Sequence, residues 1–115
     1  MEIRKYDVTK KLCKVAEAGD TLYLSGITAP EQYQTMEEQA RYELDAIEAL
    51  LAQHGSAKGK MVSAVVYLKE IRQVSAFNQI WESWFEGVEP PTRTCVEAKM
   101  ASPHVQVEIT VVAVK

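Results

Sequence analysis

An arginine in the last quarter of the chain is the residue best placed to do chemistry. Arg93 follows the rigid Pro90-Pro91 pair near the start of a predicted strand, and Cys95 comes two residues later. A second predicted strand carries Glu108 among valines and an isoleucine. A planar guanidinium can donate two parallel hydrogen bonds to one carboxylate. An acid on an apolar strand is costly unless it has a partner or a function. Together they predict a small pocket that holds an anionic substrate and positions a water.

Each of these residues also has a purely structural interpretation. Arg93 can be an ordinary sheet-edge arginine paired with Glu97, and Glu108 can form an ion pair with a neighbouring subunit. Cys95 fits a small buried filler better than a nucleophile, because no histidine is placed to activate it. The aromatic stripe that contains Trp81 is typical of a hydrophobic core.

Length and composition predict one globular domain over residues 1–115. The chain has 115 residues, of which 47% are hydrophobic and 25% are charged, enough for a single core. Its net charge of −3 offers no basic field for nucleic acid, and no apolar run is long enough to span a membrane. Because the N-terminus has no apolar signal region, we expect a cytoplasmic protein with reduced thiols. Neither cysteine has metal-ligand spacing to a histidine, so no metal site is predicted.

Seven predicted elements carry these residues. They are strands over Leu12–Ala18 and Thr21–Ser25, a helix from the Thr35 capping box to Gly55, a strand over Met61–Leu68, a helix over Ser75–Glu86, and strands over Thr94–Ala98 and Val105–Val114. This order predicts an α+β fold in which two helices pack on one face of a single mixed sheet. The second face also carries apolar residues, which favours oligomerisation through the sheet.

The predicted pocket depends on how the last two strands meet. If they pair around a turn near Ala101-Ser102, Cys95 faces Glu108 and Arg93 lies diagonally from it. Diagonal neighbours in a sheet are about 7–8 Å apart at their backbones, which long side chains can span. This register is an assumption of the sequence-based interpretation.

Several segments resemble the YjgF/Rid family of reactive-intermediate deaminases. They are Leu22-Tyr23-Leu24-Ser25-Gly26, Val65-Val66-Tyr67-Leu68, Phe77-Asn78-Gln79-Ile80-Trp81, Pro91-Thr92-Arg93-Thr94-Cys95-Val96-Glu97 and Val107-Glu108-Ile109. The resemblance covers the chain from about Gly19 onward. Its most specific part is the arginine segment followed by the valine-glutamate-isoleucine at the matching distance. The chain is most similar to a compact bacterial subgroup of that family.

The resemblance implies a chorismate-mutase-like fold and a homotrimer with three clefts between subunits. It also implies hydrolysis of 2-imino and 2-enamino acids to 2-keto acids and ammonia, without a cofactor or a metal. In that family the residue matching Arg93 holds the substrate carboxylate, and the residue matching Glu108 positions the attacking water. Further substrate-binding positions match Ser25, Gly26, Cys95 and Asn78.

The predicted cleft wall departs from the best-studied deaminases. Lys11-Leu12-Cys13-Lys14 replaces a stretch that carries a tyrosine, Ile27 replaces a glutamine, and the following loop is shorter. These changes leave a second hypothesis open, in which the chain is a non-catalytic regulatory trimer that binds a small carboxylate such as a keto acid. Nucleic acid is the least favoured ligand, because the lysines form no basic patch.

Overall fold

The computed structural model describes residues 1–115 and contains six strands and two helices. They are β1 (Ile3–Val8), β2 (Cys13–Ala18), β3 (Thr21–Leu24), α1 (Met36–Gln53), β4 (Met61–Leu68), α2 (Val74–Trp84), β5 (Thr92–Glu97) and β6 (Val107–Val114). The strands form one sheet in the order β1-β2-β3-β6-β4-β5, in which only β4 and β5 are parallel. One core joins both helices to one face of this sheet, which confirms the predicted α+β architecture. No helix is both long and apolar enough to cross a membrane.

The first strand, β1, is missing from the sequence-based prediction, which begins at Leu12. β1 pairs antiparallel with β2, from Ile3 opposite Ala18 to Val8 opposite Cys13. All of its residues except Tyr6 are exposed, because it is an edge strand that no helix covers. A strand without a buried face has no hydrophobic alternation, so the pattern that marks the other strands is absent here.

Helix α1 begins and ends where the sequence predicts. The Thr35 hydroxyl accepts a hydrogen bond from the Glu38 backbone N–H at 3.1 Å, and the Glu38 carboxylate accepts one from the Thr35 backbone N–H at 3.2 Å. This capping box supplies partners for N–H groups that a helix start leaves free. Gly55 ends the helical segment with φ at +78°, a conformation that favours glycine. The helix carries an apolar stripe at helical spacing that is fully buried and consists of Ala40, Leu44, Ile47 and Leu51.

Two contacts fix α1 alongside β6. Near the helix start, the Gln39 side-chain carbonyl accepts a hydrogen bond from the Gln106 backbone N–H at 2.7 Å. Beyond the helix end, the Ser56 hydroxyl donates to the Val114 carbonyl oxygen. Between these two contacts, the segment from Gln39 to Ser56 extends about 25 Å along the helix, and the segment from Gln106 to Val114 extends about 26 Å along the strand. The helix and the strand therefore run side by side in the same direction, and each turn of α1 lies level with about two residues of β6.

The assumed pairing of the last two strands is wrong, because β4 lies between β5 and β6. Arg93 lies opposite Ala64 on one side of β4, and Glu108 lies opposite Tyr67 on the other side. Cys95 therefore does not face Glu108. The physical reason is the helix between β4 and β5, because a helical crossover returns the next strand parallel to the first.

Arg93 and Glu108 consequently lie on opposite faces of the sheet. Cross-strand partners share a face, and the side chains of a strand alternate between faces. Ala64 is buried under the helices, whereas Tyr67, three residues later, points to the other face. Two strand spacings across the sheet and three residues along it separate the backbones of Arg93 and Glu108 by about 14 Å.

The face that carries Glu108 has no helix over it and exposes apolar side chains. Tyr23 and Val96 retain 50% and 40% of their accessible surface, and both belong to this face by register. The apolar residues that the sequence predicts on the second face of the sheet are therefore partly open to solvent in the single chain.

Candidate active site

The Arg93 guanidinium lies against aromatic rings of α2. Its central carbon is 5.3 Å from the Trp81 ring centroid and 5.7 Å from the Phe77 ring centroid. None of the four ion pairs in the chain involves Arg93, and none of the side-chain hydrogen bonds uses its N–H groups. Glu97, the structural partner considered above, accepts a hydrogen bond from the Ile71 backbone N–H instead. Arg93 is thus a half-buried cation whose donors are free.

Cys95 lies on the same side of β5 as Arg93 and packs against the core. Burial raises the pKa of its thiol, and the positive charge of Arg93 opposes that rise without cancelling it. A thiol with a raised pKa is a poor nucleophile at neutral pH. The geometry supports the filler interpretation of the side chain and leaves the backbone of this edge strand as the part that can contact a ligand.

Asn78 belongs to α2, one residue after the Phe77 ring that contacts Arg93. Its side-chain oxygen is buried and accepts no hydrogen bond from the chain. Buried polar atoms nearly always have a partner, so this orphaned acceptor has room for a donor that the chain itself does not supply.

Glu108 lies against the backbone of Gly26 on the open face. A Cβ added at Gly26 would come within 2.9 Å of the Glu108 carboxyl carbon and closer still to one carboxylate oxygen. Only glycine can therefore occupy this position without moving the carboxylate. Glu108 is half-buried and has no ion-pair partner in the chain.

The segment that holds Gly26 is fixed on both sides. The Ser25 hydroxyl donates to the Cys13 carbonyl oxygen at 2.7 Å, and its backbone N–H donates to the Lys14 carbonyl oxygen at 3.0 Å. Ile27 and Ile109 exchange backbone hydrogen bonds of 2.8 and 3.2 Å. The Ile27 side chain is buried in the core, and with Gly26 it also lines a cleft against α1, so this departure from the family pattern alters both the core and the wall of that cleft.

The six predicted site residues therefore form two groups within one chain. Arg93, Cys95 and Asn78 belong to β5 and α2 at one edge of the sheet, whereas Ser25 and Gly26 directly follow β3 and Glu108 belongs to β6. None of the four main clefts of the chain is lined by Arg93 or Glu108. No three histidine, cysteine or acidic side chains cluster as metal ligands would.

One carboxyl group near Ser25, Gly26 and Glu108 was not identified from the sequence. Glu43 is completely buried, and neither of its oxygens has a hydrogen-bond partner. Burial, with a smaller contribution from the charge of Glu108, raises its pKa to about 10. Because Gln39 contacts Gln106 and the helix follows β6, Glu43 lies one turn later, at the level of Glu108 on the opposite face. The signal was present, since position 43 falls on the apolar stripe of α1.

The six-stranded mixed sheet with two helices on one face defines the chorismate-mutase-like class of α+β proteins. The family model described as Endoribonuclease L-PSP matches residues 3–115. The chain belongs to this family, whose solved members are also described as YjgF and Rid proteins. The resemblance found in the sequence is confirmed.

Three relatives show how similar this chain is to individual proteins. A RutC family protein of Haemophilus influenzae is 35% identical over 115 residues, with 98% of each chain covered. The crystal structure of NMB1025 from Neisseria meningitidis, a member of the YjgF protein family, is 36% identical. It has a TM-score of 0.90 and covers 100% of this chain and 96% of that chain. TdcF of Escherichia coli, provisionally named a reactive intermediate deaminase, is 24% identical over 82 residues, with 70% of this chain and 64% of TdcF covered.

Proposed function

We propose that this protein hydrolyses 2-imino and 2-enamino acids to 2-keto acids and ammonia. The observation that carries the proposal is the half-buried guanidinium of Arg93, which has no acceptor in its own chain. Membership of the YjgF/Rid family and the similarity to TdcF support the same activity.

Arg93 is proposed to hold the substrate carboxylate. A guanidinium offers two parallel N–H donors that match the two oxygens of a carboxylate. In a 2-imino acid the electrophilic C=N carbon is bonded directly to that carboxylate, so fixing one orients the other. Such orientation can contribute several kcal/mol to a rate, because the reacting groups no longer lose their freedom in the transition state.

Glu108 is proposed to position and deprotonate the attacking water. The water oxygen bonds to the C=N carbon, Glu108 accepts a water proton, and the imine nitrogen gains a proton to give a carbinolamine. Glu108 then gives the water proton to the amino nitrogen, and ammonia leaves as the C–N bond breaks and the hydroxyl releases its proton to solvent, which leaves the keto acid. An enamine is first protonated at carbon to give the imine. A positioned carboxylate can serve both proton transfers.

The two residues are proposed to meet between chains. Within one chain they lie on opposite faces, about 14 Å apart at their backbones, and no main cleft contains either. A homotrimer, which the family resemblance implies, can bring the β5 edge of one chain to the open face of its neighbour. Arg93 of one chain would then face Glu108 of the next, and exposed Tyr23 and Val96 would be covered.

A second candidate function is a non-catalytic trimer that binds a small carboxylate. Lys11-Leu12-Cys13-Lys14 stands where the best-studied deaminases carry a tyrosine, and its one large apolar side chain, Leu12, is 53% exposed. An aliphatic side chain there removes a hydroxyl from the cleft wall while Arg93 remains free. In this case 2-ketobutyrate would protect the protein against thermal unfolding, but no imine would be hydrolysed above background.

The test is a coupled assay with an amino-acid oxidase that generates 2-imino acids in situ. Semicarbazide traps the remaining imine, and semicarbazone formation is followed for the parent, Arg93→Ala and the control Arg72→Ala. Arg72 is an exposed arginine on a turn before α2. We expect the parent and the control to suppress the semicarbazone and Arg93→Ala to lose suppression while its oligomeric state is unchanged. No suppression by the parent with small, aliphatic and aromatic imines would favour the non-catalytic function.

A further inference from the structure

One other cation of the chain, Lys58, lies over an aromatic ring, and its surroundings differ from those of Arg93. The Lys58 ammonium lies 4.0 Å from the Trp84 ring centroid, but it also donates to the Trp84 carbonyl oxygen at 2.8 Å and pairs with Glu48 at 3.8 Å. Arg93 has two rings and no acceptor. The Lys58 ammonium therefore already has acceptors within the chain, whereas the Arg93 guanidinium packs on two rings and keeps its N–H donors free.

The two rings under Arg93 are firmly held. Trp81 is 5% exposed and Phe77 is fully buried, and their centroids lie 5.9 Å apart. Trp81 also packs on Phe85, with a centroid separation of 4.8 Å. Rings packed in this way present a surface that cannot move aside when the guanidinium takes up a ligand.

The physical advantage of a ring over a carboxylate is that it leaves the donors free. A cation–π contact stabilises a guanidinium through the quadrupole of the ring and uses no N–H group. A carboxylate partner would accept those N–H groups and would compete with a substrate carboxylate for them. An aromatic support therefore fixes the direction of the cation while keeping it available for an anion.

We propose that Trp81, supported by Phe77, is a positioning residue of the anion-binding site, holding the Arg93 guanidinium ready for a substrate carboxylate. The inference rests on the proposed function, since it takes Arg93 to be the carboxylate clamp. It gives the aromatic stripe of α2 a second role beyond the core. It also makes Trp81 a reporter, because a carboxylate that binds Arg93 changes the charge beside the indole.

The first test compares Trp81→Leu, which removes the ring, with Trp81→Phe, which keeps one. The binding of 2-ketobutyrate is measured by calorimetry, and kcat and KM are measured in the coupled assay. We expect Trp81→Leu to weaken binding and raise KM about 2- to 30-fold with a smaller change in kcat. Trp81→Phe should restore binding to within about threefold of the parent. Trp84→Leu removes a ring that does not contact Arg93 and should leave both quantities unchanged.

A second measurement uses the folded chain with its ring in place. In a Trp84→Phe background, Trp81 is the only tryptophan, and its emission is followed as 2-ketobutyrate is added. We expect a saturable change in emission that is absent when Arg93→Ala is also introduced.

The outcomes separate the inference from the proposed function. Binding to a folded Trp81→Leu protein as tight as to the parent, or no emission change in a protein that binds 2-ketobutyrate, would overturn the positioning role alone. If the parent neither binds 2-ketobutyrate nor hydrolyses imines, the proposed function fails, and the inference fails with it.

Discussion

Arg93 and Glu108 are both unpaired charges, but their surroundings differ in kind. Arg93 lies on the helix-covered side, over two packed rings that support its charge. Glu108 lies on the open face against a glycine, and its charge adds to the burial that raises the pKa of Glu43 on the helix-covered side. The rings stabilise the charge of Arg93 without accepting hydrogen bonds from its N–H groups. The surroundings of Glu108 keep its carboxylate free of any cation from the same chain.

Under the proposed function, this difference accounts for a site whose two halves lie in different chains. If Arg93 and Glu108 were neighbours in one chain, they would form an ion pair, and the pair would occupy the donors that a substrate needs. In the proposed mechanism, their positions on opposite faces keep each charge available until chains assemble. The proposed binding half rests on ring packing and the proposed reacting half on a close backbone approach, so the two halves should respond to different substitutions.

The largest effect should come from removing the charge of Glu108. Glu108→Gln keeps the shape but loses the proton acceptor, so we expect kcat to fall about 10²- to 10⁴-fold. Binding of 2-ketobutyrate should remain, because Arg93 is untouched. Steady-state kinetics and calorimetry on the same preparation measure both. Glu89→Gln, an exposed acid that loses the same charge, serves as the control. Equal loss of binding and turnover in Glu108→Gln would contradict the division of roles.

The next effect should come from Gly26→Ala. The added Cβ would meet the Glu108 carboxyl carbon at 2.9 Å, so the carboxylate must move. A displacement of about 1 Å in a reacting group can cost about 100-fold in rate, and we expect a loss of that size in kcat. In Gly59→Ala the new Cβ meets its nearest atom, on Val88, at 3.5 Å, and this control should retain activity. Unchanged kcat in Gly26→Ala would show that the position of this carboxylate does not matter.

The smallest effect on activity, but a distinct one on stability, is expected at Glu43. Its pKa is raised from 4.5 to about 10, so the folded chain retains a proton that the unfolded chain releases between these values. Stability is therefore lost as pH rises from about 4.5 towards 10, with roughly 3 kcal/mol lost by pH 7.

Glu43→Gln is neutral at every pH and should lack this loss. In urea unfolding at one protein concentration between pH 5.5 and 8.5, the free energy of unfolding of the variant should rise relative to that of the parent by about 1.4 kcal/mol per pH unit. Glu82→Gln, an exposed acid on α2, should follow the parent. Parallel pH profiles for the parent and Glu43→Gln would mean that Glu43 is not held protonated.

The sequence predicted the helices and five of the six strands, because buried faces leave periodic patterns and Thr35 and Gly55 mark the ends of α1. It missed β1, whose exposed residues have no period. It identified Arg93 and Glu108 as candidates by residue type, but it placed them as diagonal neighbours on one face of two paired strands. Strand order depends on long-range packing and on the α2 crossover, and no local pattern encodes that β4 lies between β5 and β6.

The support of Arg93 by Trp81 could not be predicted either. The aromatic stripe of α2 is typical of a core, and it does form part of one. Its second contact follows only from the parallel pairing that brings Arg93 under α2. Glu43 is the opposite case, because an acid on the apolar stripe of α1 was visible in the sequence.

Mixed oligomers test most directly whether Arg93 and Glu108 of different chains form one imine-hydrolysing site. Arg93→Ala and Glu108→Gln chains are co-expressed with different tags and purified through both tags. Neither variant alone should hydrolyse imines, but a mixed trimer contains one interface with both native residues. We predict about one-third of the parental activity, since one of three sites is intact. A doubly tagged oligomer as inactive as either variant, beside an active parent, would contradict a site shared between chains.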